Sequence, residues 1–231
     1  MRWEYAIALF VGYIILDLGG NLLKFKWLSK FLGFSQFIIL LVSIFYLLTH
    51  TIFPRNLMFV PTWLIGILVA HILYTCGLIF TSGRLQMAGY FFSLPKMVRF
   101  CFLSPLILSR TFSGAVIEEI IYRGFFQTIF ANYFRSHSIA ILIVAIGFLL
   151  VHKHIFNSSL IQNVEFFVFS IILGTLFYIT NDLGLVVMIH FWRNMSTNYL
   201  DYLEKLEDNG DIEGAISELE SQLSPWRIRK E

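Results

Sequence analysis

TWLIGILVAHILYTCGLIFTS, residues 62–82, runs for twenty-one positions without one Asp, Glu, Lys or Arg. A helix of about 20 residues spans the ~30 Å hydrocarbon core of a bilayer. Read with that ruler, the chain yields further apolar segments near 4–22, 31–53, 111–134, 138–156, 164–180 and 183–200. The spacing predicts an all-α, polytopic membrane helix bundle of about seven to eight spans, and a short amphipathic C-terminal tail. The uncertain element is 84–110, where Arg84, Lys96, Arg99 and Arg110 sit among apolar residues and Pro95 and Pro105 act as breakers. It reads either as an interfacial amphipathic element or as an additional half-buried helix.

Composition agrees. Of 231 residues, 57% are hydrophobic and 14% charged, and the mean hydropathy is +0.73. A soluble domain carries about 45–50% apolar and about 25% charged residues, so a lipid bilayer is the natural partner of this surface. The 25 Phe and five Trp suit lipid-facing helices and interfacial belts. A net charge of +2 gives no sign of a nucleic-acid partner. Cys76 and Cys101 lack metal-like spacing and read as small buried hydrophobes. No small-residue cleavage site follows the first apolar stretch, so it is expected to be a retained span rather than a removed signal.

The chain divides into a membrane domain over 1–200 and a tail over 201–231, in which nine Asp/Glu face four Lys/Arg. The tail is expected to be a solvated cytoplasmic appendage without chemistry. Seven spans with the N-terminus outside put Lys24, Lys26, Lys30, Arg84, Lys96, Arg99, Arg110, Lys153 and the basic tail residues in the cytoplasm, leaving Arg2, Arg55 and Arg135 outside. The expected location is the cell membrane, multi-pass.

Ionisable groups inside apolar spans cost about 2.5–3.5 kcal/mol each on insertion scales, and they face partners or water-filled cavities. The 111–134 segment holds Glu118, Glu119 and Arg123. Glu119 and Arg123 are i,i+4 neighbours that can pair. Glu118 points about 100° away and must find other partners, which suits a general base. The bland alternative is a charge cluster that only bridges helices.

The next segment ends in Phe148-Leu149-Leu150-Val151-His152, with His154 beyond. On a helix the two histidines are about 200° apart, so one cavity uses only one of them. The last span carries His190-Phe191-Trp192-Arg193-Asn194, in which His190 and Asn194 share a face. Arg193 lies off that face, with its head directed towards a headgroup. A plain interhelical hydrogen-bond pair is the competing reading. Asp17, His50 and His71 read as hydrogen-bonding or interfacial residues. Taken together, a carboxylate, a histidine and a His–Asn pair on three segments are the equipment for hydrolysing an amide.

The ordered set Glu-Glu-x-x-x-Arg (Glu118 to Arg123), Phe-x-x-x-His (Phe148 to His152) and His-x-x-x-Asn (His190 to Asn194) resembles the CPBP family. That family comprises the CAAX proteases and bacteriocin-processing enzymes, also called Abi. The resemblance implies an intramembrane peptidase in which Glu118 activates water, assisted by His152. His190 and Asn194 form the oxyanion site, and Glu119 with Arg123 supports the architecture. It implies a peptide or protein substrate, either a CAAX-type tail or a bacterial peptide such as a bacteriocin or pheromone.

The family is described both as metalloproteases and as metal-free glutamate proteases. Zinc, if held, would use Glu118, His152 and His190; otherwise no cofactor is expected. There is no His-Glu-x-x-His of a zinc-dependent type and no Gly-x-Gly-Asp of an aspartyl type. Two rival readings are a non-catalytic membrane regulator or immunity protein that binds a partner, and a small transporter with a proton relay. The second lacks any inverted repeat to support it.

Overall fold

The computed structural model describes residues 3–23, 26–49, 60–152 and 158–223, and every regular element among them is helical. The helices are α1 (Trp3–Leu23), α2 (Lys26–Thr49), α3 (Val60–Ser82), α4 (Leu94–Leu103), α5 (Pro105–Glu119), α6 (Thr128–Phe134), α7 (His137–Leu150), α8 (Leu160–Thr180), α9 (Leu183–Asn209) and α10 (Ile212–Leu223). A 3₁₀ segment, Leu85–Ser93, precedes α4, and a π-helical segment, Ile120–Gln127, joins α5 to α6.

Among the described residues, α3 and α8 are long and apolar enough to cross a membrane. A third crossing results if Leu85–Leu103 and Pro105–Phe134, bent by 103°, count as one span. Shorter apolar stretches occupy Glu4–Leu16, Gly33–Thr49 and His137–Leu150. The hydropathy reading expects seven to eight crossings.

Local chemistry sets the breaks. Gly83, with φ +64°, ends α3 by donating its N–H to the Ile79 carbonyl at 2.9 Å, a left-handed cap that glycine adopts without strain. Ser104 is extended and precedes Pro105, which cannot continue the preceding helix for want of an N–H. The Ser104 hydroxyl accepts from Ile107 N at 3.1 Å and so caps α5. Arg135 turns left-handed after α6, and Ser136 caps α7 through Ile139 N. A reciprocal Ser159–Gln162 capping box starts α8. Left-handed Asn181 ends α8, and Asp182 caps α9 through Leu185 N at 3.0 Å.

The chain forms two compact units. The first comprises Met1–Thr62 and Ile117–Val186. Its core is aromatic: Phe10 meets Phe126 and Phe130 edge-on at centroid distances of 4.7 and 5.1 Å, and Tyr46 meets Phe125 at 5.4 Å. Edge-to-face pairs of this kind add about 0.5–1.5 kcal/mol beyond area burial. Gly147 permits α1 to lie against α7, because an added Cβ would collide with the Phe10 ring and come within 3.0 Å of Ile14 Cδ1.

The second unit comprises Trp63–Val116 and Val187–Glu231. Within it Asn198 Nδ2 donates to Thr111 Oγ1 at 2.9 Å, and Phe112 packs on Phe191 at 5.5 Å. His71 Nε2 bonds the Phe91 carbonyl at 2.9 Å, a hydrogen-bonding role in keeping with its sequence reading. His50 and the Asp17 side chain lie outside the described residues.

The described part of the tail, 201–223, is helical, as its amphipathic spacing predicts, and one face of it packs on the protein. α9 continues beyond residue 200, and α10 buries Ala215 and Leu219. Ser104 Oγ donates to the Glu220 carboxylate, and Lys205 pairs with Glu218 at 2.5 Å. Cys101 is buried as expected, whereas Cys76 is exposed.

Candidate active site

Glu118 and Glu119 are the last two residues of α5, immediately before the backbone widens to π-helical pairing. π segments inside α-helices are rare and concentrate at functional sites. The widened turn still lets Glu119 Oε2 approach Arg123 Nε at 3.2 Å, and both side chains are fully buried. Arg123 also donates from Nη2 to Ser170 Oγ at 3.0 Å, and its guanidinium lies 5.1 Å from the centre of the Phe148 ring. One helical turn on, Gln127 Nε2 donates to the Gly174 carbonyl at 2.8 Å. The two bonds keep one register: Arg123 reaches Ser170 and Gln127 reaches Gly174, so the π segment and α8 run parallel, joined by a polar ladder. An added Cβ at Gly174 would lie 2.9 Å from Gln127 Oε1 and 3.1 Å from Ile141 Cγ2.

Glu118 points elsewhere, as the helical period requires. Its Oε2 lies 3.7 Å from His152 Nε2, with the two side chains 28% and 23% exposed. This corrects the expected position of His152: α7 ends at Leu150, and His152 sits just past its C-terminus. There its Nδ1 contacts the Phe148 carbonyl at 2.6 Å. A carbonyl oxygen only accepts, so Nδ1 carries the proton. In the neutral ring Nε2 is therefore the basic nitrogen, and it faces the Glu118 carboxylate. Phe148 and Phe166 pack against the ring at centroid distances of 4.4 and 4.7 Å and hold its plane. His154, the second histidine of this region, lies outside the described residues.

His190 and Asn194 belong to the second unit, on α9. His190 is buried and Asn194 half-buried, four residues apart and hence on one face. Their neighbour Trp192 is buried too, while Arg193 is half-buried.

Glu118 and His152 could each supply a ligand to zinc. Catalytic zinc needs three protein ligands, and among the described residues no group of three His, Cys, Asp or Glu is placed to hold a metal ion. Among the described residues the donor set does not make a zinc site.

Residues 100–196 match the family model of type II CAAX prenyl endopeptidase Rce1-like proteins. The matched stretch contains Glu118, Glu119, Arg123, His152, His190 and Asn194, the residues on which the resemblance to the CPBP family rests. Over this stretch, a little under half of its length, the chain is similar to a family of proteases that act on CAAX-type prenylated proteins. No curated protein and no solved structure matches the chain significantly.

Two contributors are absent from the motif reading, Ser170 and Gln127. Gln127 and Ser170 carry a signal in retrospect, as lone polar residues in apolar helices. Neither shows which group 47 residues away it meets, Arg123 for Ser170 and the Gly174 carbonyl for Gln127.

Proposed function

We propose that this protein is an intramembrane endopeptidase in which Glu118 activates a water molecule against a peptide bond of a membrane-associated peptide or protein. The observation that carries the proposal is the 3.7 Å approach of Glu118 Oε2 to His152 Nε2, with the opposite ring nitrogen occupied by the Phe148 carbonyl. Two proton acceptors side by side can each take one hydrogen of a single water. Its oxygen lone pairs are then directed at a substrate carbonyl.

As the oxygen attacks the carbonyl carbon, Glu118 takes the water proton and the carbonyl π pair moves onto oxygen. On collapse, Glu118 returns that proton to the departing amine. His190 and Asn194 are assigned the developing oxyanion on their donor chemistry and motif order. One such donor contributes about 2.7–4 kcal/mol in acyl-transfer enzymes. Glu119 and Arg123 act by fixing the segment that presents Glu118.

The substrate class we favour is a C-terminal CAAX-type tail, in line with the matched family's description; bacterial peptides such as bacteriocins and pheromones are the other class of the proposal. We further propose a multi-pass placement in the cell membrane, with seven to eight crossings over 1–200 and residues 201–231 on the cytoplasmic side. Alongside α3 and α8, the shorter apolar stretches Glu4–Leu16, Gly33–Thr49 and His137–Leu150 bring five helices towards that count.

The test is cleavage of prenylated CAAX peptides and of unmodified bacterial peptides by the purified protein in detergent, with and without a chelator. Glu118→Gln is expected to abolish cleavage while insertion and melting stay as in the parent. Full activity in a folded Glu118→Gln protein would remove the residue from this role.

A further inference from the structure

We propose that the segment from Arg84 to Leu103 is an anionic-phospholipid site, lying in the membrane interface with Lys96 and Arg99 on lipid headgroups. The Leu85–Leu103 run is bent by 103° from Pro105–Phe134 at the Ser104–Pro105 break. If the second run crosses the bilayer, with the tilt of about 20° usual for such helices, the first lies near the membrane plane.

Its side chains sort into three faces. By the helical period of about 100° per residue, Phe100, Met97 and Cys101 fall at about 240–340° from Leu94. These three are buried against the protein. Val98 and Phe102 fall at about 40° and 80° and are exposed, Phe102 at 78%. Arg99 and Lys96 fall at about 140° and 200° and are exposed as well.

One flank is thus apolar and the other cationic, on either side of a ridge that faces away from the protein. A helix in bulk water would have no use for the first flank, and a helix in hydrocarbon none for the second. The boundary between acyl chains and headgroups accommodates both. The 3₁₀ segment adds two further exposed apolar side chains, Leu85 at 82% and Phe92 at 80% exposure. Charge selects the lipid. Between Asp17 and Glu118 the sequence has no Asp or Glu, while Arg84, Lys96, Arg99 and Arg110 all fall within this stretch. The charged side chains of the Leu85–Leu103 run itself, Lys96 and Arg99, are both cationic, so an anionic headgroup is attracted and a zwitterionic one much less.

The experiment uses the full chain carrying Phe92→Trp, reconstituted in phosphatidylcholine bilayers with either brominated phosphatidylglycerol or brominated phosphatidylcholine. Quenching of the added indole is taken as the difference from the unsubstituted protein. Brominated phosphatidylglycerol is expected to quench it preferentially. Each of Lys96→Gln and Arg99→Gln should lower that preference by up to about fivefold, and the double variant should abolish it. Lys96→Arg with Arg99→Lys should retain it. Equal quenching by the two lipids, or a preference that survives the double variant, overturns the site. Quenching by neither lipid overturns the interfacial placement. No readout involves cleavage, so the outcome is independent of the peptidase proposal.

Discussion

Removing the Glu119 carboxylate tests the architecture most directly. In Glu119→Ala the Arg123 guanidinium keeps, among the described residues, Ser170 Oγ at 3.0 Å and the face of Phe148, in a position with no solvent exposure. Breaking a buried ion pair from one side costs about 3–5 kcal/mol, because the remaining charge is stranded in low dielectric. Glu118→Ala is the internal comparison. Its side chain is 28% exposed, although the Oε2 that stands 3.7 Å from His152 Nε2 is itself buried; a contact of such a partly exposed side chain is worth about 1 kcal/mol or less. The two variants should differ by roughly 2–4 kcal/mol. For a chain of this size that corresponds to about 4–16 °C in melting temperature. The assay is thermal melting in one detergent, with Glu119→Gln/Arg123→Met as a third variant. That variant removes both charges together and should recover much of the loss. If Glu119→Ala proves as mild as Glu118→Ala, or the charge-free variant melts no higher than Glu119→Ala, the buried pair is not what holds this segment.

Asn194→Ala should cut kcat by about 100–1000-fold with little change in KM or melting temperature, measured by steady-state cleavage of a competent peptide; a raised KM with kcat intact would move Asn194 into substrate binding. Asn194→Asp should do at least as badly, since an anion there repels an oxyanion. Gly174→Ala should destabilise by about 1–3 kcal/mol, because the new methyl meets Gln127 Oε1 at 2.9 Å and Ile141 at 3.1 Å. A melt unchanged by Gly174→Ala would mean that the ladder between the π segment and α8 is loose.

Much was legible from composition and short-range spacing. An excess of apolar residues points to a membrane protein, whatever the helices pack against. The Glu119–Arg123 pair is an i,i+4 relation, a local property of any helix, and it survives even the switch to π pairing. The divergence of Glu118 from Glu119 follows from the same period. The ordered motifs carry the resemblance to the family for a similar reason, since they need only residue types and their order along the chain.

What the tertiary structure alone decided involves partners that spacing cannot couple. Ser170 completes the shell of Arg123 from 47 residues away, and nothing in either segment names the other. His152 reads as a helical residue because apolar character continues past it, yet α7 stops at Leu150. Only in that turn does Nδ1 meet the Phe148 carbonyl, which leaves Nε2 as the basic nitrogen. The charged tail reads as solvated because its composition is polar on average, while Ala215 and Leu219 form a buried stripe on α10. Composition and period are sums over neighbours along the chain, whereas burial and hydrogen bonding depend on which distant surfaces pack together, and that is settled only when the chain folds.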